Sequence, residues 1–430
     1  MRIIHFTYSI TGGAGIVVNK FHHLLKKNNY DSAIINVRDH VPHEDVYMVT
    51  VLRKPIRKTL NFIHYLFFRF YIRLRYKKSK QHNFTYDYNY KGLTLKNLKE
   101  TLPFKPDIIF LHWISDFILP SMIKELHDHY QCPIIWRYND LAPVTGGCHY
   151  LAGCDNYKIN CGYCPAIGST KKNDWSHRQF KKKEVILSGI DITVINSTFH
   201  TEEIFKSSKI FEGKRQTFIR NSLPSPTNNI LTGKTGLRTQ LSIPLDKKVI
   251  FWGATHITET RKGFSYFLES LSEINAEVND WFIIIAGNKP DSFDPKITFK
   301  HKFTGLLSEK DLINYYQASD AVACTSIEDG GPMMIVEALM YGTPVVSFAT
   351  GLALELVITG KTGYLAEKAN AKDLAKGLLY LLNLPSVEYE LVSNQCKEKA
   401  ISLYGEETEL KAYKVLFAEL LEKKSDERRS

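Results

Sequence analysis

The 430-residue chain has no apolar run approaching the 18 or so residues that a spanning helix needs, which argues against a membrane-embedded protein. Its first residues, Met1-Arg-Ile-Ile-His-Phe6, pass straight into a strand pattern and a glycine turn. They lack the apolar core and small-residue cleavage site of a secretory leader, so the expected location is the cytoplasm. Internal repeats are absent. Acidic residues are outnumbered, 45 against 56 Lys and Arg, and the net charge of +11 suggests an anionic partner or surface. Cysteine is sparse and odd in number; of seven, four fall within residues 148–164, which fits metal ligation better than a disulfide scaffold. The bulk composition, 44% hydrophobic and 23% charged, is that of an ordinary globular protein. A chain this long exceeds what one core usually serves, so two domains of about 200 residues are expected.

The stretch that organises the chain runs from Thr325 to Gly363. Asp320-Ala-Val-Ala-Cys-Thr325 reads as a buried strand that stops at a polar, glycine-rich turn, and Pro332, a residue favoured at the first helical position, opens a helix. In that geometry the amides of Met333 and Met334 point out of the helix N-terminus, where the macrodipole favours a phosphate. Gly330 and Gly331 let the backbone approach it. Asp329 precedes the turn, and Glu337 follows eight residues later, about one and a half turns into the helix. Two carboxylates can therefore bracket one ligand, as a nucleotide-sugar pocket requires; the plain alternative is a buried Asp and a helix Glu in an ordinary α/β crossover.

Acid-x7-acid, followed by Ala338-Leu339, Gly342-Thr343-Pro344-Val345-Val346, Gly351, Glu355 and Gly360-Lys-Thr-Gly363, resembles the E-x7-E signature of retaining glycosyltransferases of family 4, which have the GT-B fold. The resemblance implies an α/β architecture of two doubly wound Rossmann-like domains facing a cleft, the second binding the donor and the first the acceptor. It implies that Glu337 bonds the donor ribose hydroxyls and that the first acid and its loop hold the transferred sugar. Here the first acid is Asp329, with Glu328 beside it, and either fits that role.

In chain order, Arg2–Thr7 reads as a first buried strand, and Gly12-Gly13-Ala14-Gly15 as a turn ahead of a helix, the first unit of a doubly wound domain. In the resembled family this loop faces the donor phosphates, which makes Gly12 and Gly13 candidate contacts. Residues 53–80 carry ten Lys or Arg, no acid, and apolar residues at a helical period. Such a helix can lie on an anionic membrane, or it can be an excursion packed on the first domain with a solvated basic face; nucleic acid is not expected. His112 ends one strand pattern and Asn139-Asp140 another, where open α/β sheets place ligands. In related enzymes these strand ends line the acceptor side, with a His where Asn139 stands.

Cys148, Cys154, Cys161 and Cys164 have the spacing C-x5-C-x6-C-x2-C, which suits a closed, structural zinc site, with His149 able to replace one thiolate. Iron–sulfur ligation, two disulfides and four free thiols are the other readings. The GGCHY and CGYCP elements also resemble those of bacterial capsule and exopolysaccharide glycosyltransferases of the colanic-acid type. Residues 225–243, rich in Pro, Gly, Thr and Asn, read as the entry to the second domain. There Lys262 precedes Gly263 as a cation placed to neutralise a departing diphosphate. The family's usual Arg is replaced by Ala254, and Arg261 is the candidate substitute. Leu306 lies in the loop expected to receive the nucleobase, and the tail from Lys423 reads as disordered.

The expected domains are residues 1–225, 226–404, and a helix over 405–430 that crosses back to the first domain. The expected activity is transfer of a hexosyl group from a nucleoside-diphosphate sugar to a hydroxyl of a lipid-linked glycan in surface polysaccharide synthesis. Asp329, Lys262 and His112 are the catalytic candidates, and no catalytic metal is needed. The location expected is cytoplasmic, peripheral at the inner face of the cell membrane. Two rivals remain: a nucleotide-sugar epimerase on the same scaffold, and a non-enzymatic, zinc-dependent binding module.

Overall fold

A computed structural model of the chain describes residues 1–39, 44–49, 55–77, 84–89, 92–138, 140–224, 226, 233–275 and 280–427. Asn139 lies outside these residues, as do both ends of the basic segment 53–80. The chain divides into two compact units. One comprises 1–197, 201–221 and 409–430; the other comprises 198–200 and 222–408.

The first unit runs β1 (Arg2–Phe6), α1 (Gly12–Lys27), β2 (Asp31–Asn36), β3 (Val46–Met48), α2 (Pro55–Arg75), α3 (Leu95–Thr101), β4 (Ile108–Leu111), α4 (Pro120–Tyr130), β5 (Ile134–Arg137), α5 (Trp175–Ser188), β6 (Ile192–Asn196), α6 (Phe199–Lys206) and β7 (Gln216–Phe218). Its central strands are mostly apolar and buried at almost every residue, the pattern of a parallel sheet covered on both faces. They pair in parallel in the order β3-β2-β1-β4-β5-β6-β7. Alternate residues serve opposite layers, as the period of two requires. In β4, Ile109 and Leu111 join a core with Phe117, Ile123 and Leu126, while Ile108 and Phe110 face Phe21, Leu24 and Leu25. Gly15 lets α1 press onto the preceding turn, where a Cβ would stand 2.3 Å from the Ile10 carbonyl carbon.

The second unit contains α7 (Gly233–Gln240), β8 (Lys248–His256), α8 (Phe264–Ser272), β9 (Trp281–Asn288), β10 (Lys300–Gly305), α9 (Glu309–Ala318), β11 (Ala321–Cys324), α10 (Met333–Met340), β12 (Val345–Phe348), α11 (Ala353–Leu356), β13 (Gly363–Ala366), α12 (Ala371–Leu382) and α13 (Ser386–Tyr404). Its sheet is also parallel, in the order β10-β9-β8-β11-β12-β13, with one apolar layer on each face. Each sheet reverses its winding once, between β1 and β4 in the first unit and between β8 and β11 in the second. Loops at such reversals splay apart at the carboxyl ends of the strands and leave a crevice.

The last helix, α14 (Glu406–Glu427), gives its residues from Glu409 onward to the first unit. Tyr413, Leu416, Phe417 and Leu420 complete the layer that Ile3, Ile108 and Phe110 begin. Glu409 is buried with them and bonds the guanidinium of buried Arg137 at 2.6 Å. The tail from Lys423, expected to be disordered, is helical through Glu427, because the apolar face of α14 carries the helix onward from a buried anchor.

Candidate functional site

The reversal of the second sheet brings together the loops after β8 and β11. After β8, Thr260–Lys262 form a single 3-10 turn closed by Gly263 at φ +68°. A Cβ on Gly263 would meet the Thr325 carbonyl oxygen at 2.0 Å, so only glycine lets this turn lie against the end of β11. Thr325 locks the contact: it accepts from Trp252 Nε1 at 2.8 Å and donates to the Lys262 carbonyl at 2.9 Å. The Ile327 amide adds a bond to the Arg261 carbonyl at 2.9 Å.

That backbone clamp fixes two cations on one carboxylate. Lys262 Nζ stands 2.6 Å and Arg261 Nη1 3.2 Å from Asp329 Oδ2, while Asp329 Oδ1 accepts the Gly331 amide at 3.1 Å. Arg261 is held from behind by Glu259, at 2.6 Å. Burial opposes the charged form of Asp329, but Lys262, then Arg261, then the hydrogen bonds outweigh it and hold its carboxyl below the usual range. Both oxygens of Asp329 are thus committed to the protein. Glu328 beside it is partly buried.

α10 begins at Met333 rather than at Pro332, which serves as its cap residue with φ −67° and ψ 97°. The first amides of a helix have no partner within it, which leaves those of Met333 and Met334, next in sequence to the turn that carries Asp329 and Gly330, outside the helix's own bonding. Thr198 donates to the Gly330 carbonyl at 3.1 Å. Glu337 is half-buried and accepts from the Tyr316 hydroxyl at 3.2 Å. Burial, reinforced by Glu337, raises Tyr316, so it remains a phenol and a donor. Sequence reasoning missed Tyr316, Thr325 and Glu259. Tyr316 lies on α9, and the crossover that brings it to Glu337 leaves no trace in local spacing. Leu306 follows β10 and is exposed.

At the reversal of the first sheet, Gly12 and Gly13 are the first residues of α1, both exposed, with open space where a Cβ would stand. His112, expected at a ligand-facing strand end, is buried inside the unit. Its Nε2 pairs with His5 Nδ1 at 3.0 Å; His5 Nε2 meets Ser32 Oγ at 3.1 Å, and His22 Nδ1 meets the same hydroxyl at 2.7 Å. Burial first, then the fixed charge of Arg137, keeps His112 well below the usual histidine range. Asp140 bonds His149 Nδ1 and accepts the Ala142 amide at 3.1 Å, and His149 Nε2 meets Thr85 Oγ1 at 2.8 Å.

Cys148, Cys154, Cys161 and Cys164 surround one cavity of about 20 Å³, with Thr145, Tyr157 and Ser176 in its wall. All four are free thiols. Cys148 and Cys164 share a hydrogen bond that pushes the first up and the second down to about 7. Cys161 Sγ accepts the Gly146 amide at 3.3 Å, and burial raises its thiol to about 12. Among the described residues no three His, Cys, Asp or Glu are grouped to hold a metal ion. The zinc expected from the spacing is therefore not supported: the thiols are turned to protein partners, and both ring nitrogens of His149 are engaged elsewhere.

Comparison with known proteins bears on this geometry. Residues 235–402, which contain the Lys262–Asp329 cluster and Glu337, match the family model described as Glycosyl transferases group 1. The chain is 20% identical over 256 residues to the putative colanic acid biosynthesis glycosyl transferase WcaC of Escherichia coli, covering 58% of this chain and 60% of that protein. It is 22% identical over 223 residues to the N,N'-diacetylbacillosaminyl-diphospho-undecaprenol alpha-1,3-N-acetylgalactosaminyltransferase of Campylobacter jejuni, covering 48% and 59%. The chain spans 38%, 63% and 60% of the length of the first three curated relatives it matches. Among solved structures, the sucrose-phosphate synthase of Thermosynechococcus elongatus superposes with a TM-score of 0.67 at 15% identity, covering 98% of this chain and 99% of that one. Anabaena Alr3699/HepE in complex with UDP-glucose gives 0.63 at 14%, covering 97% and 100%. The fold is GT-B, two parallel-sheet α/β domains, with such neighbours along nearly the whole chain.

Proposed function

We propose that the protein is a retaining glycosyltransferase that moves a hexosyl group from a nucleoside-diphosphate sugar to a hydroxyl of a lipid-linked glycan in surface polysaccharide synthesis. The observation that carries the reading is the pair of cations, Lys262 and Arg261, held on Asp329 at the reversal of the second sheet beside the N-terminus of α10. A diphosphate is the ligand that two preset cations and a helix N-terminus favour together. The group 1 family match over the same residues, and relatives named as glycosyltransferases, support a hexosyltransferase. The UDP-glucose complex of a structural neighbour supports a nucleotide sugar as donor, and the name of the Campylobacter relative supports a lipid-linked acceptor.

In the proposed reaction the bond from the anomeric carbon to the diphosphate oxygen breaks, and a bond from that carbon to the acceptor oxygen forms on the same face. The acceptor proton passes to the departing phosphate oxygen, so no protein base is required. Lys262 and Arg261 transfer from Asp329 to the diphosphate and stabilise its charge as the sugar leaves; their preset position is what makes such stabilisation effective. The amides of Met333 and Met334, and the backbone at Gly330 and Gly331, add donors to the same phosphates. Glu337, steadied by Tyr316, accepts from the ribose hydroxyls, and Glu328 lies beside the site to meet the sugar. The loop at Leu306 receives the nucleobase. His112, buried, and Asp140, partly buried, each bonded into its own network, act as positioning residues on the acceptor side.

The test is transfer from UDP-, GDP-, ADP- and CMP-sugars to undecaprenyl-diphosphate-linked sugars, with the anomeric configuration of the product read by NMR. Acceptor-dependent release of nucleotide with retained configuration is the expected result. Isomerisation of the nucleotide sugar without nucleotide release would replace this reading with the epimerase.

A further inference from the structure

We infer that α2 is a docking helix for an anionic lipid surface, with its outward face lying in the plane of the membrane interface. The inference is independent of the donor site. α2 is apolar on two opposite faces, and the fold uses one. Tyr65, Phe68, Ile72 and the following Tyr76 face the protein. The Phe68 ring stacks on Tyr88 at 4.3 Å and meets Trp175 at 5.3 Å. Ile72 and Tyr76 are buried with Phe84, Cys164 and Ile167.

On the other side stand Leu60, Ile63, Phe67, Phe70 and Leu74, spaced three and four residues apart. At 3.6 residues per turn they fall within an arc of about 80°, centred opposite the packed residues. All five are exposed, Phe67 by 70%, Phe70 by 61% and Leu74 by 73%, and Leu66 and Tyr71 widen the stripe. A helix buried against its own protein needs no second apolar face, and a contiguous exposed stripe marks a surface that something covers.

Charge selects the occupant. No Asp or Glu stands between Asp45 and Asp87, while ten Lys or Arg do. On the helical wheel Arg69 and Arg73 border one edge of the stripe, and His64 and Arg75 the other. An apolar stripe flanked by cations on both sides is the pattern of a helix lying in the interface of an anionic bilayer: rings enter the acyl boundary while guanidinium groups meet headgroup phosphates. A protein interface would leave these arginines needing acidic partners, and a second copy of this helix brings none. Among the described residues no helix is long and apolar enough to cross a membrane, so the contact is one of lying on the surface.

The experiment is co-sedimentation of the full chain with vesicles of phosphatidylcholine alone and with about one-third phosphatidylglycerol, an anionic lipid. Wild type is compared with Phe67→Glu/Phe70→Glu and with Arg69→Glu/Arg73→Glu. The inference predicts binding to the anionic vesicles only, weakened on the order of tenfold by either variant and by raised salt, with thermal unfolding unchanged because no substituted residue is buried. Equal binding of wild type and both variants would overturn it. So would a dimer seen in sedimentation without lipid that Phe67→Glu/Phe70→Glu dissolves, or retention on single-stranded nucleic acid without lipid binding.

Discussion

At the reversal of the first sheet, between β1 and β4, stand His5 and His112, buried, paired with each other and held below the usual histidine range. At the reversal of the second, between β8 and β11, stand Lys262, Arg261 and Asp329, charged and reached by solvent. The same topology thus hosts neutral, buried, mutually paired histidines in one unit and a preset charge cluster in the other. The difference lies in what each strand end is followed by. β8 is followed by a glycine-clamped turn that fixes backbone and frees two long side chains to project. β4 is followed by a histidine that folds back onto β1, beneath Arg137, which is itself fixed by α14. Parallel sheets therefore place ligand crevices by topology, but the loop residues decide whether a crevice carries charge.

The largest effect is expected where α14 anchors the first unit. Glu409→Ala leaves Arg137 buried without its carboxylate partner, a loss of about 3–5 kcal/mol. Hydrogen exchange should show the loss in the first unit, with the second unit unchanged; equal loss in both would mean that the anchor is not local. Next comes Lys262→Met, for which activity should fall roughly 10²–10³-fold while thermal unfolding stays close to wild type. If the variant instead unfolds with activity per folded molecule intact, the cation belongs to the fold and not to the chemistry.

Acid separates the two units. His22 is lowered from 6.5 to about 4, by burial first, and His5 and His112 are also lowered. The unfolded chain therefore binds more protons than the native one below about pH 6.5, and stability falls as pH drops; at ~1.4 kcal/mol per pKa unit, His22 alone accounts for about 3 kcal/mol by pH 4. In the second unit Asp329 and Asp320 lie below their ordinary 3.8, so the stability they contribute is present above that value and is lost only in stronger acid. Between about pH 6.5 and 4.5 the first unit alone should loosen, read again by hydrogen exchange. Simultaneous loosening of the second unit would break the comparison. The smallest effect is Tyr316→Phe, which removes one hydrogen bond to Glu337 and should raise the donor KM by the equivalent of about 1 kcal/mol, with kcat nearly unchanged.

Much of the second unit was legible in the sequence because its signals are local. A buried strand, a glycine turn, a helix start and an acid eight residues on are all contiguous, and β11, α10 and Glu337 stand where the spacing placed them, with the helix start moved by one residue. The pairing of Lys262 and Arg261 with Asp329, 67 and 68 residues away, depends on the β8–β11 crossover, which spacing alone does not give. His112 shows the limit on the other side. A histidine at a strand end reads identically whether it faces solvent or a second histidine, and only the registry of β1 beside β4 puts His5 against it. The cysteine spacing suits a metal, whereas the turns that carry the cysteines set Cys161 against the Gly146 amide and Cys148 against Cys164, pairings that spacing alone does not give. The helical period of α2 was visible, whereas which of its two apolar faces the protein would cover was not.

On the proposed function, the cation pair at the second reversal binds a diphosphate. Calorimetric titration of UDP, GDP, ADP and CDP should find one that binds the wild type and that Lys262→Met weakens by about 1–3 kcal/mol. The same titration on Phe67→Glu/Phe70→Glu should give the wild-type value. A folded protein that binds none of the four, or one whose binding ignores the loss of Lys262, would contradict the account.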